Sequence, residues 1–185
     1  GSEKIRFVLR EVKLESATQA VNYALAEPAY QEFLGKEITL DTIWTIAARI
    51  TERYQNAGYF LSRVYVPQQE VGSGVVRLTV VQGFISEISL DDEARNNPLV
   101  VSWTERLRNQ TPLRSSDIES VLLRLNDIPG YTYRAVLELP KDPKAPEGSV
   151  RLSVVSARKA PTARTSIDNF GSKFLGPFEV SQQFS

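Results

Sequence analysis

The sequence predicts an α+β fold, built as two tandem β-α-α-β-β units of about 75 residues each. The first observation is a repeated strand: Val-Arg-Leu-Thr-Val-Val at residues 76–81 returns as Val-Arg-Leu-Ser-Val-Val at 150–155, with a glycine two residues before each copy. The second is a Gly-Tyr pair, at 58–59 and again at 130–131. The third is a helical pattern of apolar residues before each Gly-Tyr pair. These features recur in the same order, which indicates a duplicated unit.

The longer helix of each unit is marked by one apolar face, because its apolar residues recur at three- and four-residue steps. In the first unit these residues are Ile43, Ile46, Ala47, Ile50 and Tyr54, and in the second Ile118, Val121, Leu122, Leu125 and Ile128. Asp41 and Ser116 are the predicted N-caps. A weaker helix precedes each of these, over about residues 19–34, where Pro28 interrupts it, and about 98–107. Two helices per unit can cover one face of a small sheet.

A strand with alternating character follows each Gly-Tyr pair. The residues predicted to face the core are Phe60, Ser62, Val64 and Val66 in the first copy and Tyr133, Ala135, Leu137 and Leu139 in the second. Pro67 and Pro140 end these strands, and the repeated Val-Arg-Leu strand then returns as the second arm of a hairpin. Each unit therefore contains a three-stranded sheet.

The patterns divide the chain into a first unit at 3–83, a second at 84–158 and a tail at 159–185. Almost no linker separates the two units, so limited hinge freedom is expected between them. In the tail, aromatic and small polar residues alternate without a run long enough for a core. Such alternation is typical of strands from a transmembrane β-barrel.

Composition excludes several classes of function. Lysine plus arginine equals aspartate plus glutamate at 22 each, so no excess of positive charge favours nucleic acid as a partner. The chain has no histidine and no cysteine, which removes thiolate nucleophiles, the usual metal ligands and the usual general base. No apolar run approaches the ~20 residues of a spanning helix. The sequence therefore predicts neither an enzyme nor a cofactor or metal, and no membrane-spanning helix in this chain.

Two short motifs have simpler structural interpretations. The acidic run at 91–93 lacks the ligand spacing of a calcium loop, which favours a solvated loop. Gly72-Ser73-Gly74 lies between two strands without the helix and lysine of a phosphate-binding loop, which indicates a hairpin turn.

The order and spacing of these elements resemble a known family. Residues 40–50, Tyr54, the Gly-Tyr pair and the Pro-Gln-Gln at 67–69 together resemble the first POTRA domain of two-partner secretion transporters, the TpsB family of haemolysin activator/secretion type. Residues 116–130 resemble its second POTRA domain, and Ile-Asp-Asn-Phe-Gly at 167–171 resembles its first barrel strand. The resemblance covers nearly the whole chain from residue 7 onward.

This resemblance implies a pair of domains at the periplasmic face of the bacterial outer membrane. It implies two partners: the β-barrel of the full-length protein, and an unfolded secreted protein of the TpsA type, such as a large β-helical adhesin or cytolysin. The domains would bind the secreted protein and pass it to the barrel pore.

An edge strand offers a binding mechanism, since its unpaired backbone groups can accept an extended client by β-augmentation. In the resembled fold this edge is the strand after Gly-Tyr. The candidate protein-binding residues, predicted to point outward, are Leu61, Arg63 and Tyr65, corresponding in the second copy to Arg134, Val136 and Glu138. On this alignment the docking faces of the two units differ. The simpler interpretation is that the two arginines are solvated edge charges that block aggregation.

Two further alternatives stay open at this point. Trp44 is predicted to lie in the core. If it is exposed instead, it would form part of a groove beside the edge strand that binds amphipathic client segments. The repeats could instead belong to a general outer-membrane protein assembly factor, or act as a structural spacer that gates the barrel.

Overall fold

The computed structural model describes residues 5–17 and 20–160. The first unit contains strands β1 (Arg6–Val8), β2 (Glu11–Glu15), β3 (Glu37–Thr39), β4 (Arg63–Tyr65) and β5 (Val75–Val81), with helices α1 (Tyr23–Ala26) and α2 (Leu40–Asn56). The second contains strands β6 (Phe84–Leu90), β7 (Tyr131–Glu138) and β8 (Ser149–Arg158), with helices α3 (Asp92–Arg95), α4 (Pro98–Glu105) and α5 (Ser115–Asn126). The predicted barrel strands of the tail lie outside the described residues.

Both units contain a three-stranded sheet of the same topology. The orders are β2-β5-β4 and β6-β8-β7, with the first strand of each sheet parallel to the central strand and the third antiparallel to it. The repeated Val-Arg-Leu segment lies in the central strand each time, which explains its alternation of buried and outward residues. The predicted α+β class is confirmed.

The first half of the first unit differs from the prediction. Instead of a helix over about 19–34, α1 spans four residues and is followed by short 3₁₀ turns at Glu27–Ala29 and Gln31–Phe33. Pro28 lies in the first of these turns, where its missing N–H ends the regular α-helical hydrogen bonding. A small antiparallel sheet of β1 and β3, which no sequence pattern indicated, lies beside this segment.

Both N-caps lie two residues before the predicted positions. The N-cap of α2 is Thr39 rather than Asp41, and that of α5 is Arg114 rather than Ser116. Asp117, one position after the predicted cap, accepts a hydrogen bond from the Arg114 N–H at 3.0 Å. The start of α5 is thus stabilised by a carboxylate inside its first turn.

Each unit has its own core beneath its sheet. The predicted apolar face of α2 is buried in full, and Ile118 and Leu125 of α5 are buried in the second core. Two predictions for large side chains are wrong: Trp44 is 58% exposed and Leu139 is 80% exposed. Trp44 lies on the flank of α2 beyond its buried face, and Leu139 follows the last residue of β7.

The joint between the units is formed by the Gly-Tyr pair of the first unit. The Arg114 guanidinium donates a hydrogen bond to the Tyr59 hydroxyl at 2.5 Å and lies 4.8 Å from the centre of its ring. Beside it, the Ser115 N–H donates to the Gly58 carbonyl at 3.0 Å. These contacts join the end of the segment after α2 to the start of α5.

Apolar contacts accompany these hydrogen bonds. Phe60 and Leu61 pack against the second core rather than the first. Gly83 lies against Leu61 so closely that a Cβ added there would be 2.3 Å from the Leu61 Cβ, and its carbonyl accepts a hydrogen bond from the Leu113 N–H at 2.9 Å. The division of the chain at residue 83 and the limited hinge freedom there stay predictions, and these contacts support both.

The acidic run at 91–93 has a structural role at its first residue. The Asp91 carboxylate accepts hydrogen bonds from the Ser156 N–H, the Ser156 hydroxyl and the Ala94 N–H, and so connects the start of α3 to β8. Burial of this carboxylate works to raise its pKa, but these hydrogen bonds outweigh burial and hold the pKa of Asp91 below its ordinary value.

Asp91→Asn is therefore expected to lower the free energy of unfolding by about 2 kcal/mol at pH 7, since hydrogen bonds to a charged acceptor are lost. A carboxyl with a lowered folded pKa stabilises the fold above its unfolded pKa of about 4, and this contribution disappears as the pH falls through the folded pKa. The difference between variant and wild type should thus shrink towards pH 3 in urea unfolding. Asp92→Asn, at a fully solvated neighbour, is the control, and an equal loss in both variants would contradict this role.

Candidate functional site

The edges of the two sheets are the places where an extended chain could pair with this protein. On β2 the edge is occupied at Leu14, whose N–H donates to the Tyr23 hydroxyl at 3.1 Å, while that hydroxyl lies 3.3 Å from the Leu14 carbonyl. One tyrosine side chain therefore satisfies both backbone groups of the middle of this edge.

On β6 the edge is closed by two arginines. Arg108 donates to the Ser86 carbonyl at 2.6 Å, and Arg95 donates to the Leu90 carbonyl at 3.0 Å. A guanidinium on an edge carbonyl both removes the acceptor and places a charge where another strand would lie. These side chains occupy the Ser86 and Leu90 carbonyls and place two positive charges along this edge.

The strand β4 is short and partly covered. It has three residues, and the N–H of its middle residue, Val64, donates to the Thr51 hydroxyl of α2 at 2.9 Å. Beyond the end of β4, the Gln69 side-chain amide pairs with β5 instead. It accepts a hydrogen bond from the Arg77 N–H and donates one to the Arg77 carbonyl, both at 2.7 Å. Side chains thus satisfy the Val64 N–H on β4 and both backbone groups of Arg77 on β5.

The strand β7 is different, because it is eight residues long and only its beginning is covered. The Asn126 side chain accepts from the Tyr133 N–H at 3.0 Å and donates to the Tyr133 carbonyl at 3.2 Å. Backbone groups alternate in direction along a strand, so those of Ala135 and Leu137 point to the same edge as those of Tyr133. Within residues 5–17 and 20–160 these groups have no hydrogen-bond partner at that edge. An open edge therefore begins at Ala135.

Most of the predicted docking residues lie on the outer face of their strands. Arg63 and Arg134 are exposed, Tyr65 is 39% exposed, and Val136 is half-buried. Glu138 is exposed and forms an ion pair with Arg151 at 3.3 Å. Leu61 differs from the prediction, because it packs at the joint between the units instead of facing solvent at the edge.

The strand registers also correct the alignment of the two edges. Arg63 pairs with Val81 and Arg134 pairs with Val155, and these two valines are the same position of the repeated strand. Arg63 therefore corresponds to Arg134, not to Val136, and the two units share an arginine at this point of the edge. The prediction that the docking faces differ throughout is wrong at this position.

An apolar helix flank lies beside each of these strands. Trp44 is one to two turns before Thr51 on the same side of α2, so it lies towards β4. Leu122 and Leu123 lie about one turn before Asn126 on the same side of α5, and Leu123 is 70% exposed. Exposed apolar side chains thus lie on the helix beside both of these strands.

The chemistry of this site is that of backbone pairing. Among the described residues no group of three or more acidic side chains could hold a metal ion, and no helix is long and apolar enough to cross a membrane. Burial raises the pKa of the Tyr133 hydroxyl, so this side chain stays uncharged at neutral pH. Sequence reasoning missed Asn126 and Thr51, although each is a polar residue directly after the last aliphatic residue of its helix face, Leu125 and Ile50.

Two sheets of this topology in tandem, each covered by two helical segments on one face, define a POTRA module. Residues 7–83 match the family model described as "POTRA domain, ShlB-type". The heme/hemopexin transporter protein HuxB of Haemophilus influenzae is 27% identical over 97% of this chain and 32% of its own length. The chain thus spans about a third of the length of the curated relatives it matches.

Solved structures show the same fold. CdiB from Escherichia coli superposes with a TM-score of 0.68 at 17% identity, over 87% of this chain and 29% of that one. The N-terminal domain of Omp85 from Thermosynechococcus elongatus gives 0.66 at 20% identity, over 83% and 67%. Residues 7–83 are thus similar to the POTRA family, and the chain is similar to part of outer-membrane transporters such as CdiB-2 of Burkholderia pseudomallei, which is 24% identical over 89% of this chain and 27% of its own length.

Proposed function

We propose that this chain binds an extended segment of an unfolded exported protein as an added strand on β7, and passes it to the β-barrel of the full-length transporter. The observation that carries the proposal is the edge of Ala135 and Leu137 on β7, the longest of the four edge strands, where the N–H and C=O groups of two successive outward positions have no hydrogen-bond partner among the described residues. Backbone pairing suits an unfolded client because it requires an extended chain rather than a folded surface. By family, the client is one TpsA-type partner.

The expected affinity is modest. Two N–H and two C=O groups at this edge give about 1 kcal/mol each, or ~4 kcal/mol in all, which barely meets the lower bound of the cost of association. Burial of the neighbouring apolar side chains Leu122, Leu123 and Val136 would add about 1.5–3 kcal/mol for each one fully covered. A complex of this strength forms and dissociates quickly, as transfer to a pore requires.

Ala135→Pro in the full-length transporter tests this proposal. Proline removes the Ala135 N–H, which faces the open edge and makes no bond to β8, so the sheet should be kept while one docking hydrogen bond is lost and the ring blocks the edge. Secretion of the exported partner is expected to fall at least tenfold, with the same amount of transporter in the outer membrane.

The matched control is Ala135→Val, which enlarges the side chain but keeps the N–H. It should secrete within about twofold of wild type, since β-branched residues are tolerated in strands. Normal secretion by Ala135→Pro, with circular dichroism unchanged, would refute docking on β7.

A structural spacer is the second candidate, and the hydrogen-bonded joint of Tyr59 and Arg114 favours it. A spacer holds the units at one angle and has no need of an open edge. The two functions therefore separate in the same assay: loss of the joint alone should abolish a spacer, whereas Ala135→Pro should leave a spacer fully active.

A further inference from the structure

The Asn126 side chain imitates one residue of a neighbouring strand. Its oxygen accepts from the Tyr133 N–H at 3.0 Å, and its amide nitrogen donates to the Tyr133 carbonyl at 3.2 Å and to the Leu122 carbonyl at 2.9 Å. A strand residue opposite Tyr133 would form the same two hydrogen bonds. The place of that residue is therefore already taken.

Strand β4 lacks this arrangement. Thr51 occupies the corresponding turn of α2, but a hydroxyl accepts only from the Val64 N–H and donates its own hydrogen to the Ala47 carbonyl at 3.0 Å. A full replacement of a pairing residue, both donor and acceptor, thus occurs on β7, next to its open stretch.

We infer that Asn126 fixes the register in which a client strand pairs with β7; this inference rests on the proposed function. An antiparallel strand can pair with Leu137 and Ala135 but must end its pairing before Tyr133. Slipping by one residue would turn every client side chain to the other face, and slipping by two towards Tyr133 would require Asn126 to be displaced. Asn126 is thus a positioning residue for the client.

A fixed register assigns two client side chains to known neighbours. The client residue opposite Val136 lies on the outer face and meets this half-buried apolar side chain, which favours a β-branched residue. The client residue two positions later lies opposite Arg134, which is exposed and has no ion pair among the described residues, so an acidic residue is favoured there. The preferred client segment reads β-branched, any residue, acidic.

Two synthetic peptides test this inference on the ¹⁵N-labelled 185-residue chain. One is acetyl-Ser-Thr-Val-Thr-Glu-Ser-amide, and the other has its valine and glutamate exchanged. Amide exchange is read at Tyr133, Ala135 and Leu137, and both affinities are measured by titration. In the wild type, the Tyr133 amide should be protected from exchange already in the free chain, and the amides of Ala135 and Leu137 should become protected when peptide binds. The affinity for the first peptide should be about fivefold higher than that for the second, as two cross-strand pairs imply.

In Asn126→Ala, Tyr133 should exchange at least fivefold faster in the free chain and become protected when peptide binds. The preference between the peptides should fall towards one, because two registers are then available; a merely structural role would leave this ratio unchanged. Asn109→Ala, at an exposed asparagine of the same unit, is the control and should behave as wild type. If Asn126→Ala fails to fold, Asn126→Asp replaces it, because aspartate keeps the hydrogen-bond acceptor but lacks the donor. An unchanged ratio of the affinities for the two peptides in Asn126→Asp would overturn the inference.

The results separate this inference from the proposed function. If neither peptide protects Ala135 and Leu137 in the wild type, docking on β7 is wrong. If both amides are protected but the variant shows the same pattern and the same peptide preference as wild type, docking stands and the register role of Asn126 is wrong.

Discussion

Gly148→Ala should lower the free energy of unfolding of this chain by about 3 kcal/mol. Gly148 has φ +88°, and a Cβ there would lie 2.5 Å from the backbone carbonyl oxygen of Gln82. Its own carbonyl accepts a hydrogen bond from the Phe84 N–H at 3.0 Å, so the two backbones cannot separate without losing the start of the parallel pairing of β6 with β8. A left-handed backbone costs a side chain about 1–2 kcal/mol, and overpacking costs about 1–3 kcal/mol more.

The chain offers a matched control for this prediction. Gly130 has nearly the same conformation, φ +85°, but nothing lies within 4 Å of its Cβ position. Gly130→Ala should therefore cost only the backbone penalty of about 1 kcal/mol. Urea unfolding of both variants measures this difference. Equal losses in the free energy of unfolding would show that the close approach of the Gln82 carbonyl to Gly148 does not contribute to the cost.

Leu61→Asp should separate the two units while leaving each of them folded. Leu61 belongs to the first unit but packs against the second core and against Gly83, so a charge there would be buried between the units without a partner. We expect the joint to open, because desolvating an unpaired carboxylate costs more than the few contacts that hold the joint. The unfolding transition should lose cooperativity and fall by about 3 kcal/mol in the second unit.

Small-angle scattering and residual dipolar couplings measure this separation directly. In the wild type one alignment tensor should fit both units, whereas in Leu61→Asp two tensors and a larger radius of gyration are expected. Leu123→Asp, at a leucine that is 70% exposed, is the control and should keep one tensor. A single tensor in Leu61→Asp would mean that other contacts, such as the pair of Arg114 and Tyr59, hold the units together.

The sequence predicted those features that local periodicity determines. The apolar face of α2 is buried at every predicted position, and the repeated strand lies at the centre of each sheet. Alternation along β7 likewise placed Tyr133 in the core and Arg134 outside. These patterns are local because helix and strand geometry alone decides which residues share a face.

The features that the sequence did not predict depend on contacts between distant segments. Leu61 alternates like an outward residue of a strand, yet it is covered because the second unit packs there. Trp44 is large and apolar but lies on the flank beside β4, outside the core. Whether an edge is open depends on single side chains from other elements, such as Tyr23 on β2 and Asn126 on β7, and no periodic pattern marks them.

Photo-crosslinking during secretion tests the docking edge most directly. Benzoylphenylalanine would be placed, one position at a time, at 134 on β7, 13 on β2 and 89 on β6 of the full-length transporter, and adducts with the exported partner would be measured after illumination. Docking on β7 predicts a strong adduct at position 134 and little or none at 13 and 89. Adducts at 13 or 89 as strong as at 134 would contradict it, since the client would then pass the module without pairing at the open edge.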